Sequence, residues 1–201
     1  MAMAQRVGIL GGTFDPIHVG HLVAAVNCRY ALDLDLVILM VANEPWQKVG
    51  SRPVSPALDR LALVEACVAG VEGLEAGRTE IDRGGPSYTV ETLRELRAGV
   101  PPPDLYLIVG WDVASSLQSW DRWEEIRDLA RLVVVNRPGA ASPVGLEDSG
   151  WRVETVEVPN LEISSTDLRE RARDGRPLDY LIPAGGVELL RRRGMYCGGE
   201  C

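Results

Sequence analysis

The sequence predicts an α/β fold with a doubly wound, mostly parallel sheet of five or six strands and helices on both faces. Continuous apolar runs occur at residues 6–10, 35–41, 105–109 and 131–136, and such runs are typical of strands that are buried on both faces of a sheet. Segments with apolar residues at helical spacing separate the runs, and a glycine-rich turn directly follows the first one. This alternation of strand, turn and helix predicts a Rossmann-like domain.

The remaining elements are predicted from local patterns. A further strand is expected at residues 75–81, and the alternation of apolar and polar residues over 152–158 is typical of a half-exposed edge strand. Helices are expected from His18 to about Leu32, and from Ser87 or Tyr88 to Arg97. These elements complete the alternation of strands and helices.

Capping residues predict where two other helices begin. Ser55 followed by Pro56 predicts a helix start with a serine cap and proline at the first helical position. Ser164 with Asp167 three residues later resembles a capping box, so another helix is expected to begin there.

Length and composition exclude several classes of protein. The 201 residues fit one domain spanning 1–201, with a flexible tail at about 197–201, and the net charge of −8 argues against a surface that coats nucleic acid. No apolar run reaches the length of a membrane span, and the N-terminal residues lack the pattern of a secretion signal. The four cysteines are too few and too unevenly spaced for a disulfide framework. We therefore expect a cytoplasmic protein without nucleic-acid or membrane partners.

The turn after the first strand carries most of the chemical information. Residues 11–21 are Gly-Gly-Thr-Phe-Asp-Pro-Ile-His-Val-Gly-His, and His18 and His21 are the only histidines in the chain. Glycines let the backbone approach a ligand closely, and a helix N-terminus supplies N–H donors for phosphate. Histidines three residues apart project from the same side of a helix. The stretch predicts a phosphate site, because a zinc site needs further ligands that no other histidine supplies.

Two basic residues are further candidates for phosphate contact. Lys48 is the only lysine in the chain, and it lies in the irregular segment 42–53 after the second predicted strand. Ligands of open α/β sheets bind at the carboxyl ends of the strands, where this segment lies. Arg137 follows the strand at 131–136, and it either reaches a phosphate or remains a surface arginine.

A second group of residues suits a ring and a sugar. Residues 84–89, Gly-Gly-Pro-Ser-Tyr-Thr, open a helix whose N-terminus is another possible anion site. Asp112 follows the strand at 105–109, and Trp120 lies eight residues further on. A carboxylate accepts hydrogen bonds from ribose hydroxyls, and a broad indole face suits an electron-poor pyridinium ring. The alternatives are a plain helix cap with Tyr88 at the surface and a half-buried core position for Trp120.

The last motif combines hydroxyl groups, a helix start and an arginine. Residues 163–166 are Ile-Ser-Ser-Thr, and Arg169 lies one helical turn further on. Hydroxyls, N–H groups at a helix start and a guanidinium together suit a triphosphate. A well-capped surface helix is the alternative.

These stretches resemble the nucleotidyltransferase superfamily. Residues 11–21 resemble its Gly-Thr-Phe-Asp-Pro-x-His-x-Gly-His signature, and residues 163–169 resemble its closing Ile-Ser-Ser-Thr-x-x-Arg motif. Residues 84–89 and 110–120 are similar to segments of nicotinate-nucleotide adenylyltransferases in particular. Residues 45–48, Pro-Trp-Gln-Lys, resemble a loop of that family which ends in a phosphate-binding lysine.

The resemblance implies transfer of the adenylyl group of ATP to nicotinic acid mononucleotide, which gives deamido-NAD and pyrophosphate. It implies that charge on the phosphates is supplied by His18, His21, Lys48 and Arg169. The residues implied for ATP are Gly11, Gly12, Thr13, Phe14, Gly110, Asp112, Ile163, Ser164, Ser165 and Thr166. Those implied for the acceptor are Ser87, Tyr88, Thr89, Trp120 and Arg137. Mg²⁺ is expected to enter with ATP rather than on protein ligands, and a homo-oligomer is compatible with the resemblance.

Several alternatives stay open at this point. Phosphopantetheine adenylyltransferases are shorter and usually carry threonine at the position of His18, and cytidylyltransferases close with a different motif. Nicotinamide mononucleotide is an alternative acceptor. A nucleotide-binding regulator without turnover is disfavoured, because a sensor could lose any of the four catalytic candidates. Trp111 stands where the family usually has a small residue, so the local shape of the pocket is not implied by the resemblance.

Overall fold

Six parallel strands form one sheet in the order β3-β2-β1-β4-β5-β6. The computed structural model describes residues 4–45, 53–136, 145–146 and 148–197. The strands are β1 (Arg6–Gly12), β2 (Leu36–Val41), β3 (Leu74–Gly77), β4 (Asp104–Gly110), β5 (Ala130–Asn136) and β6 (Val153–Glu157). This order is that of a doubly wound Rossmann-like sheet, so the predicted fold class is confirmed.

Helices cover both faces of the sheet. They are α1 (Val19–Ala31), α2 (Ala57–Val68), α3 (Thr79–Arg83), α4 (Thr89–Arg97), α5 (Trp111–Ala114), α6 (Trp123–Leu129), α7 (Ser165–Arg173) and α8 (Ala184–Arg192), with a 3₁₀ turn at Leu117–Ser119. Within the described part of the chain, no helix combines the length and the apolar character that crossing a membrane requires.

The continuous apolar runs are explained by burial on both faces of the strands. On β4, Leu105 and Leu107 belong to one core cluster with residues of α4 and α6. Their neighbours Tyr106 and Ile108 belong to a second cluster with residues of α1, α2, α7 and α8. Because successive side chains of a strand point to opposite faces, a strand covered on both sides needs apolar residues at nearly every position.

The strand order reverses beside β1, which pairs with β2 on one side and with β4 on the other. In doubly wound sheets, ligands bind in the crevice at the carboxyl ends of the strands at such a switch point. β1 ends at Gly12 and β4 ends at Gly110, so both glycines lie at this crevice. The fold therefore places the first glycine-rich turn where a ligand is expected.

The predicted strand over 75–81 is wrong beyond Gly77. β3 spans Leu74–Gly77, and the chain then forms the helix Thr79–Arg83. An ion pair of 2.9 Å joins Arg78 to Asp82, at the i, i+4 spacing that brings side chains together on a helix. Ile81 is the only apolar residue between Arg78 and Arg83, so this stretch lacks the apolar alternation of a strand.

The two predicted helix caps have different outcomes. Pro56, not Ser55, is the N-cap residue of α2, and no side chain caps this helix. Ser164 caps α7 as predicted, because its Oγ accepts a hydrogen bond of 3.2 Å from the backbone N–H of Asp167. The carboxylate of Asp167 accepts a hydrogen bond from Arg171 at 2.6 Å. At the edge of the sheet, β6 (Val153–Glu157) confirms the predicted edge strand.

Candidate active site

A cavity of about 440 Å³ opens at the carboxyl ends of β1 and β4. Its wall contains residues predicted both for ATP and for the acceptor: Gly11, Gly12, Thr13, Phe14, His21, Ser87, Thr89, Gly110, Trp120 and Ser165. These residues come from four separate stretches of the sequence. The fold therefore brings the two predicted half-sites together in one cavity.

Gly11 and Gly12, in the first turn, have different surroundings. A Cβ atom at Gly11 would have no described protein atom within 4 Å, so the space beside this residue is open. A Cβ atom at Gly12 would lie only 2.8 Å from the ring of Phe14. Phe14 has a positive φ of 48° and is 2% exposed. Gly11 thus allows a ligand to approach, whereas Gly12 allows the Phe14 ring to fold back under the turn.

The two histidines form a stacked pair at the start of α1. Their ring centroids lie 3.8 Å apart, and the Phe14 ring meets His21 edge-on at 5.0 Å. The backbone N–H of His18 donates to Nδ1 of His21 over 3.2 Å. A Cβ atom at Gly20 would lie 3.0 Å from Nδ1 of His18, so the glycine between the histidines leaves room for the stacked ring.

His18 is buried at the start of α1, and its burial determines the charge of its ring. Its side chain is 7% exposed, and burial lowers the pKa of His18 to about 4. Within the described residues, its Nδ1 has no hydrogen-bond partner. His18 does not lie on the wall of the cavity, unlike His21. A ring with this pKa is neutral near pH 7, and the contact of His18 with the phosphates stays a prediction.

Ser87, Thr89 and Trp120 line the cavity and are predicted for the acceptor, so we call this part of its wall the acceptor end. The indole Nε1 of Trp120 is buried and has no partner among the described residues, so it can donate a hydrogen bond to a ligand. Tyr88 instead packs against the core cluster of α4 and α6, and it does not line the cavity. Tyr88 is thus packed beside the start of α4 rather than at the surface, and its contact with the acceptor stays a prediction.

The backbone N–H of Ser87 is already used within the protein. It donates to the carbonyl of Glu44 over 3.0 Å, and Ser87 Oγ accepts a hydrogen bond of 2.8 Å from the N–H of Asn43. Helix α4 begins only at Thr89, whose N–H lies in the first turn, where helices have no internal acceptors. A donor to an anionic acceptor is therefore expected from Thr89 rather than from Ser87.

The closing motif packs directly against the first turn. Ser165 Oγ donates to the carbonyl of Pro16 over 2.8 Å, and Arg169 Nη1 donates to the carbonyl of Asp15 over 2.7 Å. Arg169 also donates to Thr166 Oγ1 over 3.1 Å. It lines a second cavity of about 420 Å³, beside Asp15 and Arg173. The two strongest sequence motifs are thus joined in space across about 150 residues of chain.

Several predicted residues are not brought to the cavity wall. Asp112 is exposed on α5, and Ile163 packs against the core cluster of α1 and α2. Ser164 caps α7, and Thr166 accepts a hydrogen bond from Arg169. Neither residue lines the cavity. Lys48 and Arg137 lie outside the described residues. Among the described residues, no cluster of three or more His, Cys, Asp or Glu side chains could hold a metal ion.

Sequence reasoning missed a buried polar group on the cavity wall. Glu80 is 7% exposed and Thr92 is 1% exposed, and both line the cavity. The Thr92 hydroxyl donates to Glu80 Oε1 over 2.8 Å, and Arg83 donates to Thr92 Oγ1 over 3.2 Å. The sequence predicts a strand over residues 75–81, so Glu80 was not among the candidate site residues.

It also missed two residues that contact the first turn. The hydroxyl of Tyr196 donates to Asp15 Oδ1 over 2.8 Å. Arg60, 1% exposed, donates to the carbonyl of Thr13 over 2.8 Å. Arg60 had a recognisable signal, since it shares the helical face of the buried residues Leu63 and Val64.

Comparison with known proteins agrees with this geometry. Residues 9–171 match the model of the cytidylyltransferase-like family. A protein of Acidothermus cellulolyticus, named a probable nicotinate-nucleotide adenylyltransferase, is 44% identical over 198 residues, which cover 95% of this chain and 94% of that protein. The chain belongs to the nicotinate-nucleotide adenylyltransferase family. A relative of the same name from Mycobacterium tuberculosis is 43% identical over 199 residues, which cover 96% of this chain and 92% of that protein.

A solved structure shares the fold of this nicotinate-nucleotide adenylyltransferase family member. It is the nicotinic acid mononucleotide adenylyltransferase of Plasmodium falciparum in complex with NaAD, with a TM-score of 0.75 and 14% identity. The match covers 96% of this chain and 97% of that chain. At this identity the likeness shows the fold, and the family assignment rests on the closer relatives.

Proposed function

We propose that this protein transfers the adenylyl group of MgATP to nicotinic acid mononucleotide, forming deamido-NAD and pyrophosphate. The observation that carries the proposal is the single cavity whose wall joins the first glycine-rich turn and His21 to Ser87, Thr89 and Trp120. A reaction between two nucleotides needs both of them in one site, with their reacting atoms in contact. The names of the relatives at 43–44% identity support the same substrates.

The reaction needs no nucleophile from the protein. A phosphate oxygen of the mononucleotide attacks the α-phosphorus of ATP and forms the new P–O bond. The bond from the α-phosphorus to the bridging oxygen breaks, and pyrophosphate leaves with that electron pair. The protein contributes alignment of the two phosphates and donors for the charge that develops on them.

We assign these donors to residues around the first turn. His21 lies on the cavity wall, and its ring is held by Phe14 and His18. Arg169 is held beside the turn through the Asp15 carbonyl and lines the neighbouring cavity, and we assign its guanidinium to the pyrophosphate portion of ATP. Lys48 is proposed to act on the same phosphates. Mg²⁺ is proposed to enter with ATP, because triphosphate oxygens are the hard ligands that it prefers.

The test is an assay of the purified protein with MgATP and a panel of acceptors: nicotinic acid mononucleotide, nicotinamide mononucleotide and phosphopantetheine. Pyrophosphate release and the mass of the product are measured for each, with His21→Ala as the matched inactive control. We expect the highest kcat/KM with nicotinic acid mononucleotide. ATP binding without turnover of any acceptor would instead support a nucleotide-binding regulator, and turnover of phosphopantetheine alone would overturn the acceptor assignment.

A further inference from the structure

Arg60 lies outside the proposed catalytic and binding residues, yet it contacts three of the segments that surround the cavity. It lies in the first turns of α2 and is 1% exposed. Its Nη1 donates to the Thr13 carbonyl over 2.8 Å, its Nη2 to the Asn43 carbonyl over 3.0 Å and its Nε to the Ser55 carbonyl over 2.8 Å. A buried guanidinium is retained only where such bonds satisfy it.

The three carbonyls belong to segments that are distant in sequence. Thr13 lies in the turn after β1, Asn43 follows β2, and Ser55 precedes α2. Each bond uses a different nitrogen of one planar group, so the directions of the three carbonyls are set relative to one another. Arg60 therefore fixes the spacing between these segments rather than the conformation of any one of them.

Asn43 extends this connection to the acceptor end of the cavity. Its backbone N–H donates to Ser87 Oγ over 2.8 Å, and its side-chain Nδ2 donates to the Gly85 carbonyl over 3.0 Å. An unbroken path of hydrogen bonds thus runs from Thr13 through Arg60 and Asn43 to Ser87. Thr13 and Ser87 lie on the wall of the same cavity, at its ATP and acceptor ends.

We infer that Arg60 is a positioning residue for adenylyl transfer, which sets the distance between the ATP turn and the acceptor turn. This inference rests on the proposed function, because it concerns the alignment of the two substrates. In-line attack requires the acceptor oxygen to lie close to the α-phosphorus, and a displacement of about 1 Å can cost about 100-fold in rate. Each turn still binds its own substrate when the spacing between the turns changes.

The test is a comparison of kcat with the two KM values in Arg60→Lys. Lysine keeps the charge but offers its donors from one point, so it cannot reproduce three diverging bonds. We expect kcat to fall about 10- to 100-fold, while the KM values for ATP and nicotinic acid mononucleotide stay within about threefold. A loss confined to the KM values, or an unchanged kcat, would overturn the inference.

Two further variants keep the test decisive. Arg29→Lys is the matched control, since Arg29 is a half-buried arginine that packs on Gly73 at the amino end of β3, whereas the cavity opens at the carboxyl ends of the strands. Asn43→Ala removes only the bond to Gly85, and it should lower kcat about 3- to 10-fold without changing the KM for ATP. If Arg60→Lys does not fold, the double variant Asn43→Ala, Ser87→Ala removes both links from Asn43 to the acceptor turn, and an unchanged kcat in it overturns the inference.

The double variant Arg60→Lys, Asn43→Ala tests whether the two residues act along one path. Its loss in kcat should be smaller than the product of the two single losses, because the second change removes part of a connection that is already broken. A loss in kcat equal to the product of the two single losses would contradict the shared path. An inactive wild-type protein would count against the proposed function, whereas an active wild type with fully active variants would count only against the role of Arg60.

Discussion

The backbone N–H of His18 donates a hydrogen bond of 3.2 Å to Nδ1 of His21. A ring nitrogen that accepts a hydrogen bond carries no hydrogen, so the neutral ring of His21 has its hydrogen on Nε2. The stacked ring of His18 and the edge of Phe14 hold this ring in place. His21 therefore presents an Nε2–H donor in a fixed direction, as stabilisation of a phosphate in the transition state requires.

This tautomer makes a prediction about amide substitutions of His21. Glutamine places its amide near the position of Nε2, whereas asparagine reaches only the position of Nδ1. We expect His21→Ala to lower kcat about 100- to 1,000-fold, His21→Gln to recover part of the loss, and His21→Asn to recover none of it. Steady-state kinetics and the melting temperature are measured together. An unfolded His21→Ala protein, or recovery by asparagine alone, would contradict this assignment.

Burial of His18 predicts a pH dependence of stability. Burial lowers the pKa of His18 from 6.5 to about 4 in the folded protein. Between these values the unfolded chain binds more protons than the folded one, so the free energy of unfolding falls as the pH falls from about 6.5 to about 4. The shift corresponds to about 3 kcal/mol. Urea unfolding at pH 7 and pH 5 should differ less in His18→Asn than in the wild type, and equal differences would refute the neutral buried ring.

The two adjacent glycines of the first turn should respond differently to alanine. Gly11→Ala adds a methyl group to open space at the cavity wall, so it should raise the KM for ATP with little change in melting temperature. Gly12→Ala places a methyl group against the Phe14 ring, and overpacking of this kind costs about 1–3 kcal/mol of stability. Kinetics and thermal unfolding of the pair are compared. A reversed pattern would show that the two glycines have been assigned the wrong roles.

The acceptor end of the cavity predicts a preference for the acid over the amide mononucleotide. The N–H of Thr89 is a donor at a helix start, and a carboxylate accepts from it whereas a carboxamide can turn its own NH₂ donor towards it. One unsatisfied buried donor costs about 1–3 kcal/mol, which is roughly 10- to 150-fold in kcat/KM. Paired kinetics with the two mononucleotides measure this ratio. Equal kcat/KM values would contradict selection of the carboxylate by the Thr89 N–H.

Trp120→Ala separates affinity from selectivity in the same assay. The contact predicted for the indole face is the pyridine ring, which is identical in the two acceptors, so the variant should weaken both to a similar degree. A change in the ratio between the acceptors would instead assign selectivity to Trp120, through its buried Nε1.

Lys48 is predicted to bind the triphosphate. Lys48→Ala should raise the KM for ATP or lower kcat, and Lys48→Arg should restore only part of the loss, because the two cations differ in shape and in donor geometry. Initial rates over a range of ATP concentrations measure the effect. Unchanged kinetics in Lys48→Ala would show that Lys48 does not contact the triphosphate.

The sequence was most informative where one local pattern decides the structure. The strands β1, β2, β4 and β5 are continuous apolar runs, and their boundaries are observed within about two residues of the prediction. The helix Thr79–Arg83 differs from the predicted strand, and the i, i+4 pair of Arg78 and Asp82 is the local pattern that favours it. For β1, β2, β4 and β5, the residues within each segment are sufficient to predict the strand.

The details of the site depend on contacts between distant segments. Burial of His18 depends on the stacked ring of His21 and on the space left by Gly20. The helical pattern places Arg60 on the buried face of α2, but its partners, the carbonyls of Thr13 and Asn43, are known only from the fold. Motifs predicted candidate residues of the site, whereas their burial and partners required the fold.

The hydrogen bond from Tyr196 to Asp15 joins positions 181 residues apart. Burial and the neighbouring Asp15 carboxylate raise the pKa of Tyr196, so its phenol keeps the hydrogen that it donates. During synthesis, Asp15 emerges from the ribosome long before Tyr196 is incorporated. The turn after β1 therefore lacks its contact with Tyr196 until nearly all of the described fold has been synthesised.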